Sequence, residues 1–407
     1  MPVTLALTIA TFVVGVDLYI VAAVLPAIAD DLHEPIALVG LLASAYALPT
    51  AIFAPIFGPL SDRRGRRTGM LIGLAIFTAA AAACVVAPSL PFLLLARAVN
   101  GLGAAIVSPA TLAYAGDLPS PRERARTLGI VLSAFPFSTL IGLPIGALVT
   151  GLFGWRAAFA FVLLVAIAAV IGISRLPVDR PRVDGRPGYL SSYRTVLHDR
   201  HALGVLSVTF VWFAGTFGYF VYQAEFFHES FGLPTNVAGL SYLVVGLVGV
   251  AATRLSGRFL GAVGPRRAVM IGIAAFVVAA FLMPLTHVSL PLALLVFAGW
   301  AFGTWFGIPG IQTIVAGLSN SLRGTMLAFN SSAQNFGNVL GPAITGQVIA
   351  TGGFAVAGPW SSFVGLIALV LAWRFLPRSL AETDRTGEAD AAGEPEPVNE
   401  AIATESV

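Results

Sequence analysis

Long apolar stretches and short polar segments alternate along the chain up to about residue 376. Each apolar stretch has about twenty residues, which is the length that an α-helix needs to cross the hydrocarbon core of a bilayer. Charged residues, proline and glycine bound the stretches. The pattern predicts twelve membrane-spanning helices, near residues 5–27, 36–59, 68–87, 91–116, 127–152, 157–174, 203–227, 235–256, 267–286, 291–317, 325–351 and 356–376.

One polar segment occurs twice. The first copy reads Gly-Pro-Leu-Ser-Asp-Arg-Arg-Gly-Arg-Arg at 58–67, and a degenerate copy at 257–267 follows 199 residues later. An arginine-rich turn cannot lie in hydrocarbon, so each copy is expected in water at the mouth of its own half. We therefore predict an all-α membrane protein whose twelve helices form two pseudo-symmetric six-helix bundles.

The polar stretches between and after the spans divide the chain into four regions. Residues 1–175 and 202–376 are the two predicted bundles, and 176–201 is a basic, proline-bearing linker. In the linker, apolar residues recur at helical spacing around Tyr193, which fits either an amphipathic helix on the membrane surface or an irregular connection. Residues 377–407 are acidic and poor in aliphatic residues, so a disordered tail is expected there.

The arginines orient the predicted spans. Loops that stay in the cytoplasm keep an excess of positive charge. With twelve spans, Arg156 is the single arginine of the odd-numbered loops, Arg97 lies inside a span, and all others fall in the even-numbered loops or the tail. We therefore predict that both termini are cytoplasmic and that the chain lies in a bacterial inner membrane.

Composition excludes several classes of protein. Apolar residues make up 57% of the chain and charged residues 11%, which is not the composition of a soluble globule. The basic residues are all arginine, so a phosphate-binding lysine and a Schiff-base lysine are excluded. The only cysteine is Cys84, and the histidines lie in or near predicted loops. We expect no metal site, no cofactor, no nucleic-acid partner and no enzymatic activity.

Two ionisable side chains lie inside predicted spans, and such residues are candidates for function. Asp17 and Arg97 are expected at depths of roughly 15 Å and 9 Å from the outer ends of their helices. Burial favours the neutral form of a carboxyl group, whereas a neighbouring guanidinium favours the carboxylate, and this balance changes when a cavity opens. We interpret the pair as a proton-coupling site. The alternative is a buried ion pair that fixes helix register.

Other polar and aromatic residues of the spans are candidates for a substrate cavity. The eleventh span carries amides at every fourth position, and the seventh and tenth spans are rich in aromatic residues. Contacts between helices and contacts with lipid are the competing explanations. Glu225 and Glu229, near the outer mouth, are interpreted as a solvated rim. The predicted cavity residues are Asn100, Trp212, Phe217, Gln223, Trp300, Trp305, Asn330, Gln334 and Asn338.

Several of these segments resemble the major facilitator superfamily. The segment 58–67 is similar to its signature loop, and 95–105 is similar to its fourth-helix motif, whose arginine is implicated in proton coupling, although Asn100 stands where glutamine is common. Asp17 matches an acid that drug/proton antiporters use. The resemblance implies a gating role at the loop, in which Asp62 latches the two halves. The residues concerned are Gly58, Asp62, Arg63, Gly65, Arg66, Arg67 and Arg126. For the arginines, the alternative explanation is that their positive charge only keeps the loops in the cytoplasm.

The fifth span resembles the antiporter motif in the variant Gly-x-Pro-x-Gly, formed by Gly142, Pro144 and Gly146. Together with Gly154-Trp155-Arg156, the variant is similar to the sugar-efflux and chloramphenicol-resistance branch of the twelve-helix drug/proton antiporters. Glycines four residues apart let two helices touch backbone to backbone, and the proline frees a carbonyl group, so a compliant contact between helices is expected here.

These features lead to a functional prediction. The chain is expected to export a small drug-like, apolar or sugar-like molecule in exchange for protons, as a monomer that alternates its access between two bundles. An importer or facilitator of the same fold is the first alternative. A membrane receptor or scaffold that does not transport is the second.

Overall fold

The computed structural model describes residues 3–178, 189–319 and 323–377, and the predicted tail lies outside these ranges except for residue 377. Every regular element in the described ranges is helical. The helices are α1 (Val3–Leu32), α2 (Ile36–Val39), α3 (Leu41–Arg64), α4 (Arg66–Val85), α5 (Leu90–Gly116), α6 (Pro121–Phe137), α7 (Leu143–Phe153), α8 (Trp155–Ser174), α9 (Tyr189–His198), α10 (Arg200–Val221), α11 (Gln223–Phe231), α12 (Thr235–Ala238), α13 (Tyr242–Val263), α14 (Pro265–Leu282), α15 (Leu290–Gly317) and α16 (Arg323–Phe375).

The number of spans agrees with the sequence pattern. Eleven segments of the described chain are long and apolar enough to cross a membrane. The last of them, Gly324–Phe375, contains two spans, because Gly353 interrupts α16 with a φ of 64°. Such a backbone conformation is accessible to glycine at little cost and breaks the helix. The described chain therefore holds twelve spans, six before α9 and six after it.

The internal duplication is visible in the backbone. Gly65 and Gly154 have positive φ angles, and so do Gly264 and Gly353, each 199 residues further along the chain. The close contact of α4 with α5 at Gly103 has its counterpart between α14 and α15 at Gly303. Arginine caps also recur: Arg67 donates to Ser174 O at 2.5 Å, and Arg266 donates to Trp373 O at 2.6 Å. The two halves therefore share one architecture.

The ends of the bundle are named by the duplicated segments. We call the end that holds residues 58–67 and 257–267 the basic end, and the opposite end, which holds residues 33–40 and 86–89, the far end. Two expectations about the basic end are wrong. Residues 58–64 continue α3, so only Gly65 separates α3 from α4. Arg254 and Arg258 belong to α13 rather than to a loop, because that helix ends only at Gly264, where φ is 81° and Pro265 follows.

Helix α9 lies in the predicted linker and touches both halves. The hydroxyl group of Tyr193 donates to Pro55 O of α3 at 2.5 Å, and its ring meets Phe329 of α16 edge-on at 5.3 Å. Val196 is buried, whereas Leu197 is 53% exposed. One face of α9 therefore packs on the protein, whereas an amphipathic helix on the membrane surface would pack on lipid.

Close backbone packing sets the distance between α3 and α5. A Cβ atom at Gly101 of α5 would overlap the carbonyl oxygen of Tyr46 in α3, and Thr50 Oγ1 donates to Gly101 O at 3.0 Å. At Gly116, near the end of the same helix, a Cβ atom would meet nothing within 4 Å. The small residue at 101 therefore lets α3 bring Tyr46 against α5.

We expect Gly101→Ala to lower stability by about 1–3 kcal/mol, because the added methyl group forces α3 and α5 apart. Gly116→Ala is the matched control and is expected to be neutral or slightly stabilising. Thermal unfolding of the two variants in the same detergent measures the difference. Equal melting temperatures would show that α3 and α5 do not need this contact.

Candidate functional site

The two buried charges of the spans meet inside the first half. Arg97 Nη1 lies 2.7 Å from Asp17 Oδ1, and both side chains are 0% exposed. Arg97 Nη2 also donates to the backbone oxygen of Asp17 at 2.9 Å. Asn100, one helical turn after Arg97 on α5, donates from Nδ2 to Asp17 Oδ2 at 2.9 Å. The structure thus brings together the two predicted coupling residues and one residue predicted for the cavity.

Aromatic rings and backbone oxygens complete this charge site. The Arg97 guanidinium lies 4.6 Å from the centre of the Tyr46 ring, a distance at which a cation and a ring attract. The hydroxyl group of Tyr46 donates to Val14 O at 3.2 Å, and Arg97 Nε donates to Leu42 O at 3.5 Å. The carboxylate is therefore buried away from solvent in this state.

The charge site has no counterpart in the second half. At the offset of 200 residues that relates Gly103 to Gly303, Phe297 corresponds to Arg97 and Trp300 corresponds to Asn100. Both aromatic side chains are buried. Among the described residues, the duplicated helix packing is thus common to both halves, whereas the fully buried ion pair lies in the first half.

The antiporter-like segment packs against the helix that carries Asp17. A Cβ atom at Gly142 would overlap Val16, and one at Gly146 would lie 3.0 Å from Ile20. These contacts are made with side chains of α1, not backbone to backbone as the spacing of the glycines suggested. Pro144 is buried in the same helix, α7, which follows a π-helical segment at Ser138–Gly142. A π-helical turn contains one residue more than an α-helical turn, and such turns are often found at functional sites.

The π-helical segment also reaches the other half. A Cβ atom at Gly246 of α13 would overlap the backbone of Leu140, and Ser138 lies against Gly15 of α1. The segment therefore touches the helix that carries Asp17 on one side and the second half on the other.

Contacts between the halves gather towards the far end. Tyr242 of α13 donates to Ala22 O of α1 at 3.2 Å, and Ser44 of α3 donates to Val339 O of α16 at 2.6 Å. The Tyr222 ring fills the space above Gly40, and Asn236 packs on Gly151. These contacts close the far end.

The predicted cavity residues of α10, α11 and α15 fall into different environments. Phe217 is stacked on Phe220 at 5.7 Å, and Trp300 is stacked on the other side of Phe220 at 5.8 Å. Tyr19 of α1 approaches Phe217 and Phe220 from the first half, at 6.1 and 5.5 Å. The result is an aromatic cluster at the interface of the halves, formed by Tyr19, Phe217, Phe220, Tyr242 and Trp300.

Polar atoms without partners lie in and near this cluster. Gln223 donates to Ser241 Oγ at 2.9 Å, but its Oε1 is buried without a hydrogen bond. The indole nitrogen of Trp300 is likewise buried without an acceptor. Orphaned buried polar groups are rare in proteins and are found where a ligand or water completes them. Phe217, Gln223 and Trp300 therefore remain the strongest candidates for contact with a substrate.

Of the other predicted cavity residues, Trp212, Trp305 and Asn330 take part in packing within the second half. Trp212 is buried and its ring covers Gly307, while Trp305 covers Gly249. Asn330 accepts from Thr209 Oγ1 at 2.7 Å, which joins α10 to α16. Gln334 is half-buried, and Asn338 is buried with its Oδ1 unpaired. The amide stripe is thus a contact between helices at Asn330, and it carries a free buried acceptor at Asn338.

The residues predicted to gate the basic end are described only in part. The side chains of Gly58, Asp62 and Arg63 lie outside the described residues, so the predicted latch at Asp62 remains a prediction. Arg66 pairs with Asp117, and Arg67 caps the end of α8. Both hold elements of the first half together.

The remaining gating residues are placed as follows. Gly65 forms the turn between α3 and α4, with φ of 91°, and Arg126 is exposed on α6. Neither position, as described, joins the two halves.

A cavity of about 390 Å³ lies between α1 and α6. Its lining includes none of the residues predicted for substrate. Of its lining residues, Phe137 and Ile141 are 43% exposed each. The lining is Thr8, Ile9, Phe12, Ile130, Ser133, Ala134, Phe137 and Ile141.

Sequence reasoning missed the aromatic side chains that complete the sites. Tyr46 was not singled out, because nothing in its local sequence shows that it covers Arg97, 51 positions away in the chain. Tyr19 follows Asp17 by two residues and so points to another face of α1. That offset was a readable signal of contact with the second half. In the described residues no group of histidine, cysteine, aspartate and glutamate could hold a metal ion.

Comparisons with known proteins agree with this architecture. A family model described as the Major Facilitator Superfamily matches residues 7–321 and 257–404. The transporter YceJ of Bacillus subtilis, which is named as uncharacterised, is 30% identical over 82% of this chain and 86% of its own length. Multidrug resistance protein 2 of B. subtilis is 22% identical over 82% and 86%. A probable sugar efflux transporter of Pasteurella multocida is 25% identical over 90% and 91%.

Proposed function

The chain belongs to the major facilitator superfamily of membrane transporters, and from this premise we propose that it is a proton-driven exporter of small, uncharged or weakly polar molecules. The observation that carries the proposal is the fully buried cluster of Asp17, Arg97 and Asn100. The positions that correspond to Arg97 and Asn100 in the second half are the buried aromatic residues Phe297 and Trp300. Relatives named for multidrug resistance and for sugar efflux support export.

The proposed mechanism starts from the state in the structure, with the far end closed. If the arginine-rich basic end faces the cytoplasm, as loops with positive charge do, this state takes up its substrate from inside. Opening of the far end breaks the contacts of Tyr19 and Tyr242 with the other half and releases α1 from that side. Asp17 then exchanges its proton with the exterior while Arg97 shifts between the carboxylate and the backbone oxygens around it.

The proton gradient supplies the energy in this scheme. One charge moving inward gains about 2.3 kcal/mol per 100 mV of membrane potential, and one unit of pH difference adds about 1.4 kcal/mol. Together these terms correspond to an accumulation of several hundredfold. The aromatic cluster around Phe220 would bind the substrate by stacking and burial of apolar surface, with Gln223 and Trp300 supplying one acceptor and one donor.

A growth-inhibition panel tests the function. Cells that express the protein are expected to tolerate at least one apolar inhibitor better than cells without it, and a protonophore is expected to remove the difference. Everted membrane vesicles then give the direction of transport, since uptake into them corresponds to export. Uptake into right-side-out vesicles driven by the same gradient would instead show an importer.

A further inference from the structure

Helix α11 forms part of the far end and carries an unusual carboxyl group. The long seventh span breaks at Tyr222, and α11 continues from Gln223 to Phe231, where it packs against α1 of the first half and against α12. Glu225, His228 and Glu229 are the titratable residues of α11. Of the two glutamates, Glu229 is exposed, as expected for a solvated rim, whereas Glu225 is only half-exposed.

Glu225 is held in surroundings that disfavour its charge. Its Oε2 atom is buried and has no hydrogen-bond partner. Burial raises the pKa of Glu225 above its ordinary value, the charge of His228 works against this, and the carboxylates of Glu229 and Asp30 raise the pKa further. Asp30 belongs to α1, in the other half. Helix α12 contributes no titratable side chain, and His228 is engaged by Leu233 O at 2.7 Å.

Closure of the far end contributes to these surroundings. Asp30 of α1 is near enough for its charge to act on the Glu225 carboxyl group, and α1 and α11 are packed together across the interface of the halves. When the halves separate, the carboxyl group of Glu225 gains water and loses the neighbouring charge of Asp30. A proton is therefore bound more tightly in the closed form than in the open form, and by linkage a bound proton favours closure to the same extent.

We propose that Glu225 is a second proton-binding residue of this transporter, whose protonation from the far side allows the far end to close. The proposal rests on the proposed function only in taking the far end as the outside of the cell. Acid outside would then load Glu225 and drive the protein towards the state that takes up substrate from the cytoplasm. Asp17 acts within the first half, whereas Glu225 acts on the contact between the halves.

The sign of the pH dependence follows from the raised pKa in the closed form. The contribution of Glu225 protonation to closure is fully present at pH values below the pKa of the open form. It is lost as the pH rises through the higher pKa of the closed form. Between these two values the ratio of closed to open protein falls up to about tenfold for each pH unit. Glu225→Gln cannot ionise at this position, so its ratio of closed to open protein is expected to stay at the low-pH value at every pH.

Electron spin labels measure the closure without any substrate. Val86 and Val288 are 70% and 72% exposed, lie at the far end and belong to opposite halves. They are replaced by cysteine in full-length protein in which Cys84→Ser removes the native thiol. The distance between the labels in lipid nanodiscs is expected to lengthen as the pH rises. Glu225→Gln should abolish this change, whereas the exposed control Glu229→Gln should retain it.

A second variant separates the proposal from a general loss of fold. Asp30→Asn removes the carboxylate across the interface and is expected to move the opening midpoint to lower pH without abolishing it. An unchanged pH dependence in Glu225→Gln would overturn the proposal, and so would its loss in the control Glu229→Gln. Failure of every export assay with this pattern intact would overturn the exporter function and leave the role of Glu225 standing.

Discussion

Asp17→Asn is expected to abolish transport driven by a pH gradient while leaving exchange down a concentration gradient in place. Asparagine fits the same space and can still accept from Arg97, but it cannot carry a proton. The aromatic cluster at Phe220 contacts α1 through Tyr19, which lies on a different face of α1 from Asp17, and is therefore expected to be undisturbed. In everted vesicles, the ratio of substrate concentration inside to outside should fall from a value set by the proton gradient to a value near one.

Asp31→Asn is the matched control for this experiment. Asp31 is on the same helix, but it pairs at the far end with Arg156 at 2.7 Å, where the two side chains are 48% and 39% exposed. Its loss should leave accumulation within about twofold of the unmodified protein, because exposed ion pairs contribute little. Full accumulation by Asp17→Asn would remove this carboxyl group from the coupling mechanism and return the pair to a structural role.

Arg97→Met is expected to have the largest effect on stability. It leaves the Asp17 carboxylate buried with only Asn100 to support it, and an uncompensated buried charge costs about 3–5 kcal/mol. The apolar residue also loses the guanidinium contact with the Tyr46 ring. Thermal unfolding in detergent and the yield of monodisperse protein both report this loss.

The double variant Asp17→Asn with Arg97→Met tests the cause. Removing both charges should restore most of the stability, since a buried pair often contributes little relative to neutral side chains of similar size. Arg156→Met, which disrupts an exposed pair, should cost at most about 1 kcal/mol. A double variant as unstable as Arg97→Met would show that packing of the arginine, and not its charge, holds α1 against α5.

The location of the charge site was predictable, but its completion was not. Two ionisable residues in apolar spans stand out in any reading of the sequence, and their expected depths allowed contact. Asn100 shares a helix face with Arg97, but the sequence did not show that Asp17 of another helix would meet its amide. The burial of Glu225 Oε2 was likewise not evident from its local sequence.

For the gating residues and for Tyr193, the sequence did not indicate the contact partners. Arg66 and Arg67 were predicted to take part in gating, with topology as the alternative explanation; the described contacts include those with Asp117 and with the end of α8, within the first half. The recurrence of the second contact at Arg266 shows that it belongs to the duplicated scaffold. Conversely, Tyr193 in the linker joins α3 to α16, although its local sequence indicated only an amphipathic helix.

The sequence by itself determined the membrane class, the twelve spans, the duplication and the presence of two buried charges. These follow from the length of apolar runs and from the cost of charge in hydrocarbon, which are local properties of the chain. Tertiary structure alone decided which partners each buried group has, that the far end is closed, and that α11 packs against α1 of the other half. Such contacts join residues that are far apart in the chain, and their energy depends on how the two halves meet.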